Sequence, residues 1–367
     1  MKRVTILHKL PTPYNDELFR VLSTELEKDF RVIHLWKGSE KRPWRTPLAQ
    51  GYRNTYLSTR LSVDIREMSR AFRDHETFYL FGDWGNAPTL WLIAARILRG
   101  LSYGIWADTP QEQVPRPMLK QAIRRRVIRT ILGRAIVVVG TGNQAVRTLQ
   151  DLGAHESALL NLPMMVAVPE SNPRRNLEEE SSRKPTVFGT AATLYHRKGV
   201  DTLIDAFAAV RESSRESRLL IAGDGEDITF LRERAESLGV GSAIDWLGWL
   251  EPDQMESEFW QRIHIYVHPA RWDPYPLTVL EAMAHGVPVV ATNTSGSAVD
   301  RLQDGVTAFL VQPDDAFHLS DRMSTLSKDP ELQRRFSSKA FEEISRVTYA
   351  VGARSLIDHI RNQTSKI

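Results

Sequence analysis

The amino-acid sequence predicts an α/β chain of two doubly wound parallel-sheet domains, and three observations carry that reading. Short β-rich runs alternate with helical stretches from Val4 onward, the pattern of βαβ units. A polar, proline-bearing segment, PESNPRRNLEEESSRKP from Pro169 to Pro185, then interrupts all hydrophobic periodicity, as a linker does. The alternation restarts after it, and a chain of 367 residues suits two domains better than one. The expected organisation is a first domain over 1–168, a linker over 169–185 and a second domain over 186–345. A C-terminal helix over 346–367 can then pack back on the first domain.

In the first domain the expected strands are Val4–Leu7, Arg31–Trp36, Thr77–Phe81, Tyr103–Trp106 and Ala135–Val139. Between them, Asp16–Glu27 places Leu18, Phe19, Leu22 and Leu26 on one helical face, and Ala87–Leu98 does likewise. In the second domain strands are expected at Thr186–Gly189, Arg218–Ala222, Ala243–Leu247, His264–His268, Pro288–Thr292 and Ala308–Val311. The helices expected there are Gly199–Arg211, Ile228–Leu238, Asp253–Gln261 and Pro276–His285. Open parallel sheets bind ligands beyond the C-terminal ends of their strands, so a cleft between the two domains is the expected ligand position.

With no cysteine, disulfide frameworks, thiolate metal sites and cysteine nucleophiles are excluded, and a reducing cytoplasm is compatible. The N-terminal apolar run is too short for a signal-peptide core, and no stretch approaches the roughly 20 apolar residues of a membrane span. The expectation is a cytoplasmic protein, soluble or peripheral at the inner face of a membrane. Net charge is only +3, but no Asp or Glu occurs from Gln113 to Gln150, where eight Lys and Arg fall. Within that run Leu119, Ile123, Val127 and Ile131 recur at i+4, which predicts an amphipathic helix with these residues on one face and arginines on the others. Arg124, Arg125 and Arg126 then form either a solvated face or a docking surface for anionic lipid. Nucleic acid is disfavoured for lack of a recognition motif.

The most informative stretch is HPARWDPYPLTVLEAMAHGVPVVAT, His268 to Thr292, where a strand ends and a helix starts at about Pro276. Backbone amides near Leu277, Thr278 and Val279, at the positive end of that helix, suit an anion. Glu281 follows on the second turn among apolar residues, where a carboxylate without a partner is costly. A vicinal diol can supply that partner; so can Arg271 or Arg301, which are also open to Asp273. His264 and His268 share a strand face roughly 13 Å apart, too far for one metal ion. No metal site is expected, and no dinucleotide or P-loop glycine signature is present.

In Asp273 and Glu281 the chain resembles the retaining GT-B glycosyltransferases of family 4, the "glycosyl transferases group 1" type, whose Glu-x7-Glu motif leads into EAMA-x-G-x-PV. The resemblance covers Val187 to Val311 and implies two Rossmann-like domains facing an inter-domain cleft. It also implies that Glu281 binds the donor ribose and that Asp273, an Asp where the family has Glu, sits at the donor sugar. A second stretch, GTAATLYHRKGVDTLIDAF, resembles the loop that clamps the donor diphosphate with an Arg and a Lys. Lys198 aligns with the Lys, while the family's Arg position holds Thr193, which leaves Arg197 or another residue to provide any second charge. Gly223 and Gly225 resemble the family's GDG turn beside the nucleotide, and Gly248 its loop beside the base. On the acceptor side, loops leaving the first sheet offer Tyr14, Asn15, Asp83, Trp84 and Asp108, each also readable as a turn or capping residue. The tryptophans are expected to serve mostly as core or half-buried packing. The implied activity is transfer of a hexosyl unit from a UDP- or GDP-sugar to a carbohydrate or glycolipid hydroxyl, with no cofactor. A GT-B epimerase or hydrolase and a non-catalytic nucleotide-sugar-binding scaffold are the alternatives.

Overall fold

Apolar runs such as VTIL, TFYLF and VVV can be buried on both faces only in a parallel sheet covered by helices on each side. The computed structural model describes residues 2–37, 49–57, 65–82, 84–108, 117–174 and 185–366. The chain divides into two units, Met1–Met164 with Tyr349–Ile367, and Met165–Thr348.

In the first unit the elements run β1 (Arg3–His8), α1 (Pro13–Leu26), β2 (Phe30–His34), β3 (Asn54–Tyr56), α2 (Ile65–Arg73), β4 (Thr77–Phe81) and α3 (Ala87–Leu98). They continue with β5 (Tyr103–Ala107), α4 (Met118–Arg134), β6 (Val137–Gly140), α5 (Asn143–Asp151) and β7 (Leu159–Asn161). The sheet order is β3-β2-β1-β4-β5-β6-β7. Every pair is parallel, with Ile6 opposite Val32 on one side and Leu80 on the other. The order reverses between β1 and β4, so the C-terminal ends of those strands flank a switch point, the usual ligand position of such sheets.

Arg96, fully buried in α3, fastens this unit from within. Its guanidinium donates to the carbonyls of Ala71, Asp74, Thr77 and Ser102 at 3.1, 2.7, 3.0 and 2.7 Å, closing the end of α2 and the turns before β4 and β5. It also lies 5.1 Å from the Tyr79 ring centroid.

The second unit contains β8 (Val187–Ala191), α6 (Val200–Ser213), β9 (Arg218–Ala222), α7 (Ile228–Ser237), β10 (Ile244–Gly248) and α8 (Pro252–Gln254). It goes on with β11 (Ile265–His268), α9 (Leu277–Ala284), β12 (Val289–Thr292), α10 (Gly296–Arg301), β13 (Phe309–Val311), α11 (Ala316–Lys328) and α12 (Pro330–Ser345). Its six parallel strands are ordered β10-β9-β8-β11-β12-β13. The last helix, α13 (Tyr349–Thr364), belongs to the first unit, where His359 Nε2 lies 3.0 Å from the Ala158 carbonyl oxygen.

Several expectations need correcting. The helix expected over Asp253–Gln261 is the short α8 running into a π-helical turn, Met255–Trp260, which buries Phe259 and Trp260 together. Two residues of the expected linker are held within the second unit: Asn172 Nδ2 donates to Ser337 Oγ at 3.1 Å and Arg174 Nη2 to the Trp260 carbonyl at 2.6 Å. Residues 175–184 of that linker lie outside the described residues.

The largest difference is in α4. Its buried stripe is Ile128, Ile131 and Leu132, while Ile123 and Val127 are 57% and 45% exposed. The reason is geometric: steps of four advance 400° and so drift about 40° each, and a row of four such residues cannot stay on one face. The side chain of Leu119 lies outside the described residues. Arg125 and Arg126 are exposed, whereas Arg124 is half-buried. Among the described residues no helix is long and apolar enough to cross a membrane.

Candidate functional site

The C-terminal ends of β8 and β11 bring the second unit's chemistry together. After β8 the chain makes a 3-10 turn, His196–Lys198, and Gly199 turns it into α6 with φ +64°. A Cβ on Gly199 would stand 2.1 Å from the Pro269 carbonyl oxygen, so only glycine lets this turn lie against the loop after β11. Arg271 locks the two together. Its backbone N–H donates to the Arg197 carbonyl at 2.9 Å, and its guanidinium pairs with Asp201 at 2.7 Å and Asp314 at 2.7 Å. Arg271 is thereby committed, and the partner of Asp273 is a different residue.

That partner is Lys198, whose ammonium donates to Asp273 Oδ2. Arg197 Nη1 stands 3.9 Å from the other carboxylate oxygen and donates to the Trp272 carbonyl at 3.2 Å. His268 Nε2, buried beneath, lies 3.4 Å from Asp273 Oδ2. Burial opposes the charge on Asp273, but His268 and Lys198 outweigh it and hold the carboxyl well below its usual range. Burial likewise pushes His268 below its ordinary value, against the pull of Asp273, which favours a neutral ring. Because Asp273 titrates lower in the folded protein than its unfolded value of 3.8, the unfolded chain takes up the proton first as pH falls. Its stabilisation is therefore complete above about pH 4 and is lost below, towards the folded value. Urea midpoints between pH 5 and 3 should fall more steeply for the wild type than for Asp273→Asn; identical slopes would remove Asp273 from this role.

Helix α9 begins at Leu277, one residue later than expected, because Pro276 is its extended N-cap and supplies no side-chain cap. The first amides, of Leu277, Thr278 and Val279, thus keep the open N-terminal geometry that suits an anion. Val279, Leu280, Ala282, Met283 and Ala284 are buried, whereas Leu277, Thr278 and Glu281 share the less buried side. Tyr266 in β11 donates to Thr278 Oγ1 at 2.6 Å, leaving the threonine's own proton to point elsewhere. Glu281 has no hydrogen bond to its carboxylate among the described residues. Burial pushes its carboxyl up, partly offset by His285. This is the costly unpartnered carboxylate that the sequence implies, placed one turn below the open amides.

Gly223 and Gly225 have a packing role that the sequence does not reveal. Gly223 takes φ +121°, and a Cβ there would stand 1.9 Å from the Ala192 carbonyl oxygen. A Cβ on Gly225 would come within 2.3 Å of the Leu194 carbonyl oxygen. Both hold the loop after β9 against the loop after β8. Gly248 ends β10 at φ +68° in open space. His264, the other member of the His pair, uses Nδ1 to accept from the Val187 N–H at 2.9 Å.

In the first unit, Tyr14 and Asn15 lie in the first turn of α1 rather than in a loop, because Pro13 already starts the helix. Asn15 Nδ2 is 2.9 Å from His8 Nε2, at the end of β1. Trp84 packs against the core, Asp108 is exposed just after β5, and Asp83 lies outside the described residues. The structure therefore gathers Arg197, Lys198, Asp273, Leu277, Thr278 and Glu281 within one unit, and the acceptor-side residues belong to the other. Sequence reasoning missed Tyr266 and His268 as site residues. The available signal was two polar residues at alternate positions in an otherwise apolar strand.

Residues 174–343 match the family described as Glycosyl transferases group 1. An exopolysaccharide phosphotransferase of Streptomyces coelicolor is 31% identical over 185 residues, 50% of this chain but 19% of that protein, so the chain spans about a fifth of its length. A GDP-mannose-dependent alpha-(1-6)-phosphatidylinositol monomannoside mannosyltransferase of Mycobacterium tuberculosis is 27% identical over 312 residues, 80% of this chain and 79% of that one. The structure of HepE from Anabaena in complex with UDP superposes with a TM-score of 0.79 at 16% identity, covering 99% of this chain and 100% of that one. Over residues 174–343 the chain is thus similar to the glycosyl transferases group 1 family, and the two Rossmann-like parallel sheets are those of the GT-B fold.

Proposed function

We propose that the protein is a retaining glycosyltransferase that moves a hexosyl unit from a nucleotide-sugar donor to a carbohydrate or glycolipid hydroxyl in surface polysaccharide assembly. The observation that carries this reading is the open side of α9: uncapped amides at its start, Lys198 and Arg197 at Asp273 four residues before it, and Glu281 without a hydrogen bond one turn along. A diphosphate accepts from the amides and the two cations, and the ribose hydroxyls donate to Glu281. The UDP bound in HepE and the GDP-mannose named for the mycobacterial relative favour a UDP- or GDP-sugar.

In the unliganded protein Lys198 is held by Asp273. The arriving diphosphate takes over the ammonium, and Asp273, buried and charged, turns to the sugar hydroxyls. The bond from the anomeric carbon to the phosphate oxygen breaks as the acceptor oxygen bonds on the same face. The acceptor proton passes to the departing phosphate oxygen. Preorganised amides and cations stabilise the charge that develops on that phosphate, in place of a divalent metal ion. Asp108, with Tyr14, Asn15, Trp84 and Asp83, orients the acceptor, at the cytoplasmic face of a membrane when the acceptor is lipid-borne.

A thermal-shift panel of UDP, GDP and ADP tests the donor assignment, because a ligand that binds only the folded state raises the melting temperature. One of the three should stabilise the protein without added metal; no shift from any of them would refute the donor site. Donor hydrolysis that is indifferent to acceptor would favour a hydrolase, and binding without turnover across an acceptor panel would favour a scaffold. Glu281→Ala should weaken the stabilising nucleotide about 10- to 150-fold in a calorimetric titration, since a charge-assisted acceptor is lost. Equal affinity in a folded variant would remove the ribose contact.

A further inference from the structure

Strand β11 carries two polar side chains on one face, Tyr266 and His268, in an otherwise apolar run. Both are fully buried, and their rings stack at 25° with centroids 6.3 Å apart. The tyrosine ring is wedged against Phe259 and Trp260 of the π-helical turn, at 6.4 and 5.4 Å between centroids, which holds its hydroxyl in place. Burying polar groups in such a layer is costly unless they are paired, so their partners show what they are for.

Those partners are the two ends of the proposed donor site. Tyr266 Oη donates to Thr278 Oγ1 at 2.6 Å, with the Ala191 carbonyl oxygen and His268 Nδ1 both farther off at 3.4 Å. The tyrosine's one proton therefore fills a threonine lone pair, and the threonine keeps its own proton for an acceptor outside, beside the open amides of α9. At the other end, His268 Nε2 lies 3.4 Å from Asp273 Oδ2. It makes no hydrogen bond among the described residues, although it is cut off from water. The oxygen it faces is taken by Lys198. An ionised carboxylate only accepts, so the ring nitrogen facing it is the one that carries the proton, a buried donor left unspent in the unliganded protein.

We infer that Tyr266 and His268 are positioning residues of the donor site, the tyrosine turning the Thr278 hydroxyl outward to the diphosphate and the histidine receiving the Asp273 carboxylate when the diphosphate draws Lys198 away. The inference rests on the transferase reading and supplies what that reading requires. A buried carboxylate that gives up its ammonium with no donor beneath it is left uncompensated, and Lys198 would be held back from the ligand.

Calorimetric titration of the full chain with UDP, GDP and ADP tests it. Tyr266→Phe should weaken the nucleotide that the wild type binds about 3- to 10-fold, and should change nothing further in a Thr278→Val background, because the hydroxyl it orients is gone. His268→Asn, whose amide reaches only as far as Nδ1, should weaken it about tenfold or more. His268→Gln, which places an N–H near the Nε2 position, should stay within about threefold of the wild type. The loss in His268→Asn should vanish in an Asp273→Asn background, where no charge has to be held. Thermal melts confirm that each variant is folded, and His268→Leu takes the place of His268→Asn should the latter not fold. A role in packing alone would weaken binding equally in every background and would not separate the two amides. Losses that persist undiminished in the Thr278→Val and Asp273→Asn backgrounds therefore overturn the inference, as do variants that bind like the wild type. In both cases binding by the wild type leaves the donor reading standing, whereas a wild type that binds none of the three nucleotides overturns the two together.

Discussion

Lys198→Ala is expected to lower turnover by roughly 100- to 1,000-fold with the fold intact, because it removes a preorganised cation from the site proposed for the leaving diphosphate. The side chain is well placed for such an effect. It is largely shielded from water between Asp273 and the turn that Gly199 pins to Pro269. The same substitution leaves Asp273 without its ammonium, so a melting experiment should accompany the kinetics. Chelation by EDTA should not reproduce the loss. Activity abolished by EDTA and restored by a divalent metal would refute the metal-independent mechanism, and near-normal turnover of Lys198→Ala would remove the lysine from the chemistry.

Arg96→Ala should produce the largest loss of stability. Four carbonyls, two buried and two part-buried, lose their donor at once, at about 1 kcal/mol each before the void is counted, so the first unit should lose about 4 kcal/mol or more. That is a large share of the 5–15 kcal/mol typical of a domain. Arg96→Lys should rescue little, because an ammonium cannot span four carbonyls as the planar fork does. Urea unfolding followed by a probe in the first unit decides the matter. A change within about 0.5 kcal/mol would show that the carbonyls find other partners.

The architecture was legible in the sequence wherever strands are long and apolar. Thr77–Phe81 and Arg218–Ala222 begin and end where their composition says, because runs of five and four buried residues leave no other solution. Strands β3 and β7, three residues each at the sheet edges, are too short and too polar to show a period. Helix α4 misled because an i+4 row imitates a single face over two turns and then drifts away from it. At the site, Lys198, Asp273 and Glu281 stood out through their motif. Their pairing did not, because the contact of Lys198 with Asp273 depends on how the loop after β8 meets the loop after β11. His268 was visible only as half of an unusable metal pair, since its meaning comes from the carboxylate placed above it by the turn at Trp272.

The close approaches at Gly199, Gly223 and Gly225 bear on how this site can be re-engineered. The loops after β8, β9 and β11 meet through backbone at Pro269, Ala192 and Leu194, with no side chain interposed. Their relative positions therefore depend little on which side chains the remaining loop residues carry. A library that randomises Thr193, Tyr195, Asp224 and Glu226 while sparing the three glycines should keep a folded scaffold in most members and alter the rim of the proposed donor site. Libraries that include the glycines should lose most members to unfolding, and the share of soluble protein in each would measure the difference.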